Sequence, residues 1–155
     1  MTNSSSDRIG IYNERLQLLY NEVLAWLNES GVSFTPLFED QLLSEENIGD
    51  YRAKKLTLKQ DGGVLARFIP VGILIIGAEG RVDLFGKSGK EILVYFSEGG
   101  PEMTTRMSVG DMVEERSGKI YGQKREGWHW IDDRITGQQP ELTKEILLAL
   151  LDRIN

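Results

Sequence analysis

Residues 73–96 read ILIIGAEGRVDLFGKSGKEILVYF, and the punctuation of this stretch decides the fold. Three β-prone runs, 73–77, 81–85 and 90–96, are separated by Ala78-Glu79-Gly80 and by Lys87-Ser88-Gly89. Each separator ends in glycine. A three-residue hairpin loop closes with its last residue in the left-handed region as a G1 bulge, and glycine enters that region without a Cβ penalty. On this count Gly77 falls opposite Arg81, and Gly86 opposite Lys90. One face of the sheet then carries Leu74, Ile76, Val82, Leu84, Ile92 and Val94, with no polar side chain among them. A slip of one residue would mix the set, so the pattern supports the loops. The opposite face carries Ile73, Ile75, Arg81, Asp83, Phe85, Glu91, Leu93 and Tyr95, which is largely apolar but holds two acids and a base.

The same grammar extends outward. Asp61-Gly62-Gly63 joins 56–60 to 64–69 as a further hairpin. Pro70-Val71-Gly72 either turns the chain or kinks one long strand, and a proline with no N–H to donate belongs at an edge or a bulge. Beyond Pro101, residues 103–107, 112–116, 120–124 and 128–131 read as short strands. The 17 glycines in 155 residues exceed the average share of about 7%. They fall between apolar runs, as hairpin turns do. Residues 36–43 predict a short helix. Glu39, Asp40, Glu45, Glu46 and Asp50 form an acidic stretch free of Lys and Arg. It reads as a solvated loop or short helix, or as a surface for a basic partner.

The two ends are helical. Tyr12, Leu16, Leu19, Tyr20, Val23, Trp26 and Leu27 recur in steps that place them on one helical face. The spacing predicts a helix over 8–29, capped by Ser6 or Asp7 and closed by Gly31 at C′. A second helix starts at Pro140 in its first turn and presents Leu142, Ile146, Ala149, Leu150 and Ile154, widened by Leu147, Leu148 and Leu151. The expected architecture is therefore α+β: an N-terminal helix, a central antiparallel β-meander of five or more strands, and a C-terminal helix. Strands and helices do not alternate, which argues against a parallel doubly wound sheet. Residues 1–7 are expected as a disordered tail and 8–155 as a single domain.

Composition narrows the chemistry by exclusion. Cysteine is absent, which removes disulfides, thiolate metal sites and cysteine nucleophiles. No apolar run is long enough for a membrane-spanning helix, and Met1 to Asp7 carry no signal-peptide apolar core. A cytoplasmic location is expected. The formal net charge of −6 disfavours nucleic acid as a partner. Lys119, Lys124 and Arg125 lie near Trp128 and Trp130, as a base-stacking surface requires. Glu114, Glu115, Glu126, Asp132 and Asp133 dilute that charge. His129 is the only histidine, and no Gly-x-Ser-x-Gly elbow accompanies it. If 128–131 is a strand, the two tryptophans share one face and His129 takes the other. The glycines around Lys87-Ser88 link strand to strand, not strand to helix, so no phosphate loop is present.

Asp83 and Glu91, on one face of adjacent strands in this register, are the leading carboxylate pair for metal binding or acid–base work. The run Gly80-Arg81-Val82-Asp83-Leu84-Phe85-Gly86, followed by Ile92-Leu93-Val94-Tyr95-Phe96, resembles the metal-binding hairpin of the PD-(D/E)XK nuclease family. That resemblance, over about 25 residues, implies a helix acid at Glu22 and a metal ligand at Asp83. The chain departs from the family pattern where Glu-x-Lys would fall, carrying Tyr95-Phe96-Ser97 instead. Without that carboxylate and lysine, metal binding and water activation each lose a part.

The leading expectation is a non-enzymatic module acting through protein–protein contact, regulatory, inhibitor-like or self-associating, with no cofactor. Its binding face would be Ile73, Ile75, Arg81, Asp83, Phe85, Leu93 and Tyr95, and its partner another protein or a second copy. The alternative is a degenerate or metal-dependent nuclease-like domain using Asp83 with Glu22 or Glu91.

Overall fold

A computed structural model of the chain describes residues 4–74, 78–97, 102–103, 118–119, 125–132 and 139–155. Helix α1 (Ser5–Glu29) opens the chain, and helix α2 (Lys144–Ile154) closes it. Between them run β1 (Thr35–Glu45), β2 (Gly49–Gln60), β3 (Gly63–Gly72), β4 (Arg81–Phe85), β5 (Lys90–Phe96), β6 (Glu102–Met103), β7 (Gly118–Lys119) and β8 (Gly127–Ile131). A six-stranded sheet has the order β1-β2-β3-β4-β5-β8, with every neighbouring pair antiparallel. Strands β6 and β7 pair separately. The α+β meander flanked by two helices is as expected.

Helix α1 starts earlier than its periodicity indicated, because Ser4 is the N-cap and its hydroxyl accepts from the Asp7 amide. Its far end follows the sequence reading, with Gly31 at φ +74° just past the C-cap Ser30. Helix α2 starts later than Pro140. Thr143 caps it, while residues 139–142 run beside β8 instead: the Trp130 amide donates to Pro140 O and the Leu142 amide to Trp128 O. No helix among the described residues is long and apolar enough to cross a membrane.

Both helices pack on the same side of the sheet. Tyr20 of α1 lies edge-on to Phe68 of β3, and the Trp128 indole of β8 donates to Arg15 O of α1. Arg153 of α2 lies over Trp130 of β8. Between helices and sheet, Tyr12, Leu16, Leu19, Val23, Leu56, Leu58, Phe68, Val82, Leu84, Leu93, Leu147 and Leu150 are sealed from solvent.

Three expectations about the strands need correction. Residues 36–43 are not a helix but most of β1, which pairs with β2 along its whole length. On the side away from β5, β4 pairs with β3 and not with the run expected at 73–77, with Gly72 opposite Arg81 and Phe68 opposite Leu84; residues 75–77 lie outside the described residues. Pro70 sits at a register shift between Pro70 and Gly72, beyond the last β2–β3 pair at Phe68, so its missing N–H costs no ladder bond to β2. The first glycine turn is also tighter than expected, since Gln60 pairs with Gly63 and leaves only Asp61 and Gly62 between strands. The expected strands at 112–116 and 120–124 lie outside the described residues.

Candidate functional site

The β4–β5 hairpin decides which side chains share a face. Phe85, not Gly86, stands opposite Lys90, so the loop has four residues, 86–89, closed by the Gly86 amide donating to Gly89 O at 2.9 Å. The extra residue has a packing cause. The end of α2 docks into this loop: the Ser88 amide and hydroxyl reach Ile154 O at 2.7 and 3.1 Å. They thereby satisfy a carbonyl that the helix terminus leaves open. A Cβ at position 86 would lie 2.4 Å from both the Ile154 side chain and its carbonyl oxygen. Glycine is needed there for close approach.

The one-residue shift divides the expected binding face. Arg81, Asp83 and Phe85 project from the side away from the helices, in rows with Val94, Ile92 and Lys90. Leu93 and Tyr95, with Glu91, project toward the helices, beside Val82 and Leu84. Ile73 is buried beyond the end of β3. Ile75 lies outside the described residues.

The three candidate carboxylates are accordingly separate. Asp83 is buried on the helix-free side, gripped by Arg81 through two bonds of 2.8 and 3.1 Å, with Lys90 at 3.7 Å. Glu91 is buried on the helix side, where it accepts the Trp130 indole N–H at 2.9 Å and faces Arg153 at 3.8 Å. Glu22 is an exposed residue of α1, its carboxyl pushed up by partial burial and by the nearby Glu141 charge. The sheet stands between α1 and Asp83. Among the described residues no group of three or more histidines and carboxylates could hold a metal ion. Trp128 and Trp130 do share one face, with His129 on the other, where its ring lies 5.0 Å from Phe96. Both indoles are committed inward, to Arg15 O and Glu91. Lys124 lies outside the described residues.

The feature that local sequence reading missed is β1. It is the end strand of the sheet, paired on one side only among the described residues. Phe38, Asp40 and Leu42 share one face of it by alternation. Phe38 is 37% exposed and Leu42 61%. Two acids of the stretch meet lysines on the neighbouring strand: Asp40 meets Lys54 at 2.7 Å and Glu39 meets Lys55 at 3.6 Å, each directly across on β2. The Asp40 carboxyl is held below its ordinary range by the Lys54 hydrogen bond and charge. The signal was present at long range, because Glu39-Asp40 and Lys54-Lys55 are mirror images about residue 47.

The end of β1 also ties down the chain between β3 and β4. The Glu45 carboxylate accepts the Ile73 and Leu74 amides, each at 2.9 Å, and the Tyr51 hydroxyl. The Tyr12 hydroxyl donates to Arg81 O at 2.6 Å, with its ring edge-on to Tyr51. Burial pushes both phenols up, and the Glu45 bond adds to the effect at Tyr51.

No protein-family model matches the chain, and neither does any curated protein or solved structure.

Proposed function

We propose that the chain works by protein–protein contact, in a regulatory or inhibitor-like role without catalysis, and that the open side of β1 is its contact surface. One observation carries this reading: an eleven-residue strand lies at the sheet edge with two large apolar side chains, Phe38 and Leu42, exposed on it. An edge strand presents a row of unpaired N–H and C=O groups, and proteins commonly blunt such edges by shortening or covering them. Here the edge is long; Leu42 faces solvent, and Phe38 is part-exposed with its ring also against Tyr20 of α1. Asp83 and Glu91 are each held by a cation or donor, and Asp83 stands across the sheet from both Glu91 and Glu22, which gives the alternative nuclease-like reading no support.

Site-specific photocrosslinking in the native host tests the proposal. A photoreactive residue at position 42 is expected to yield an adduct of one defined mass. The same residue at position 25, exposed on α1, is expected to yield none. Identical smears from both positions, or no adduct at position 42, would contradict it.

A further inference from the structure

The chemistry of the β1 edge specifies what can pair with it. Across seven residues, Leu37-Phe38-Glu39-Asp40-Gln41-Leu42-Leu43, two apolar pairs flank a central acidic pair and one amide. A second copy of the chain fits the apolar part. Antiparallel pairing centred on Asp40 would set Phe38 against Leu42, and Leu37 against Leu43, on both sides of a two-fold axis. The same register sets Asp40 directly against Asp40. Like charges directly opposite on a sheet destabilise the pair. Centring the pair on Gln41 relieves that clash but sets Phe38 against Ser44 and Leu42 against Asp40, so the apolar matches are lost, and centring it on Glu39 opposes Glu39 to Glu39. The edge is thus biased against its own copy.

A strand with bases at the centre has no such conflict. Lys54 and Lys55 leave the acids accessible, with Asp40 45% and Glu39 51% exposed. Exposed pairs of this kind contribute little, so an incoming cation can share or exchange them. Resting on the contact reading above, we infer that β1 accepts an extended segment of another protein by antiparallel strand addition. The segment carries two basic residues opposite Glu39 and Asp40, flanked on each side by apolar residues. Main-chain bonds would supply affinity and the side-chain pattern specificity, as in other strand-addition complexes.

The test is calorimetric titration of the full chain with two blocked heptapeptides, Leu-Val-Thr-Lys-Lys-Val-Leu and Leu-Val-Thr-Glu-Glu-Val-Leu. Amide-shift mapping on the protein locates the contact. The lysine peptide is expected to bind about tenfold more tightly or better, from two cross-strand pairs changed in sign. Its shifts should fall on β1, and added salt should weaken it. In the Glu39→Gln, Asp40→Asn double variant, with its unchanged spectrum as the check on folding, the preference should disappear. Equal binding of both peptides at β1 would overturn the basic specificity while leaving the contact reading intact. Failure of both peptides to perturb β1 would overturn strand addition, whereas the contact reading itself falls only on the crosslinking result. A dimer joined through β1 in light scattering and amide mapping would also overturn the inference.

Discussion

Asp83 and Leu93 point to opposite sides of the sheet. Asp83 stands across from Ile92, and Leu93 across from Val82, so the carboxylate faces away from both helices while the leucine lies under them. This relationship places Asp83 and Glu91 on opposite sides of the sheet, whereas β1 is paired on one side only among the described residues. It also ranks substitutions that composition alone would treat alike.

Leu93 is fully buried in the core, whereas Phe85 is half-buried on the helix-free side beside Lys90. Leu93→Ala is expected to cost about 2–5 kcal/mol, as large-to-small changes in sealed cores do. Phe85→Ala, losing only part of a side chain's burial, should cost about 1–1.5 kcal/mol. Urea unfolding of the two variants checks the order. Equal losses would mean that the two residues share one environment.

Gly86 should tolerate no side chain. Alanine there would press on the backbone oxygen of Ile154 as well as on its side chain. The expected destabilisation is about 1–3 kcal/mol from overpacking. Trimming Ile154 to alanine would not relieve it, because the carbonyl oxygen remains. Denaturant midpoints of the single and double variants decide the point.

Glu45→Ala would strip acceptors from the Ile73 and Leu74 amides and from the Tyr51 hydroxyl. A loss of about 1–3 kcal/mol is expected for donors left without their partner. Hydrogen exchange at residues 73 and 74 should accelerate more than at the centre of β3. Exchange unchanged at those two amides would show that Glu45 does not hold this segment.

Stability should fall in alkali. The Tyr95 phenol is pushed up to about 12, first by burial and then by its hydrogen bond to Glu126. An unfolded phenol titrates near 10. Because the folded value is the higher, the contribution of neutral Tyr95 is complete below about pH 10 and is lost as pH climbs toward about 12. Tyr12, Tyr20 and Tyr51 shift in the same direction. Urea midpoints measured from pH 9 to 12 should decline, and Tyr95→Phe should make the decline shallower. A flat profile over that range would contradict the assignment.

The helices and the meander are legible in the sequence because their signals are local. Tyr12 to Leu27 repeat at helical spacing, and Gly31 stops the helix with a backbone that only glycine adopts freely. Pro70 marks its own bulge. Register was less accessible, because loop length at 86–89 depends on a contact with Ile154, 68 residues further on from Gly86. The glycine read as a strand end is instead the point where α2 approaches the loop. The edge strand was hidden for a related reason. The acids of 39–40 look solvated until Lys54 and Lys55 are placed across from them, and only the hairpin does that. Asp83 and Glu91 were recognised as carboxylates beside apolar residues. Their partners, Arg81 for the one and Trp130 and Arg153 for the other, lie on different faces of the sheet, and only the register shows that.

Cross-strand nuclear Overhauser contacts between β4 and β5 test this division of the sheet most directly. The account predicts backbone contacts that place Asp83 opposite Ile92 and Phe85 opposite Lys90. Contacts placing Asp83 opposite Leu93 and Gly86 opposite Lys90 would return the acid and the leucine to one face and contradict it.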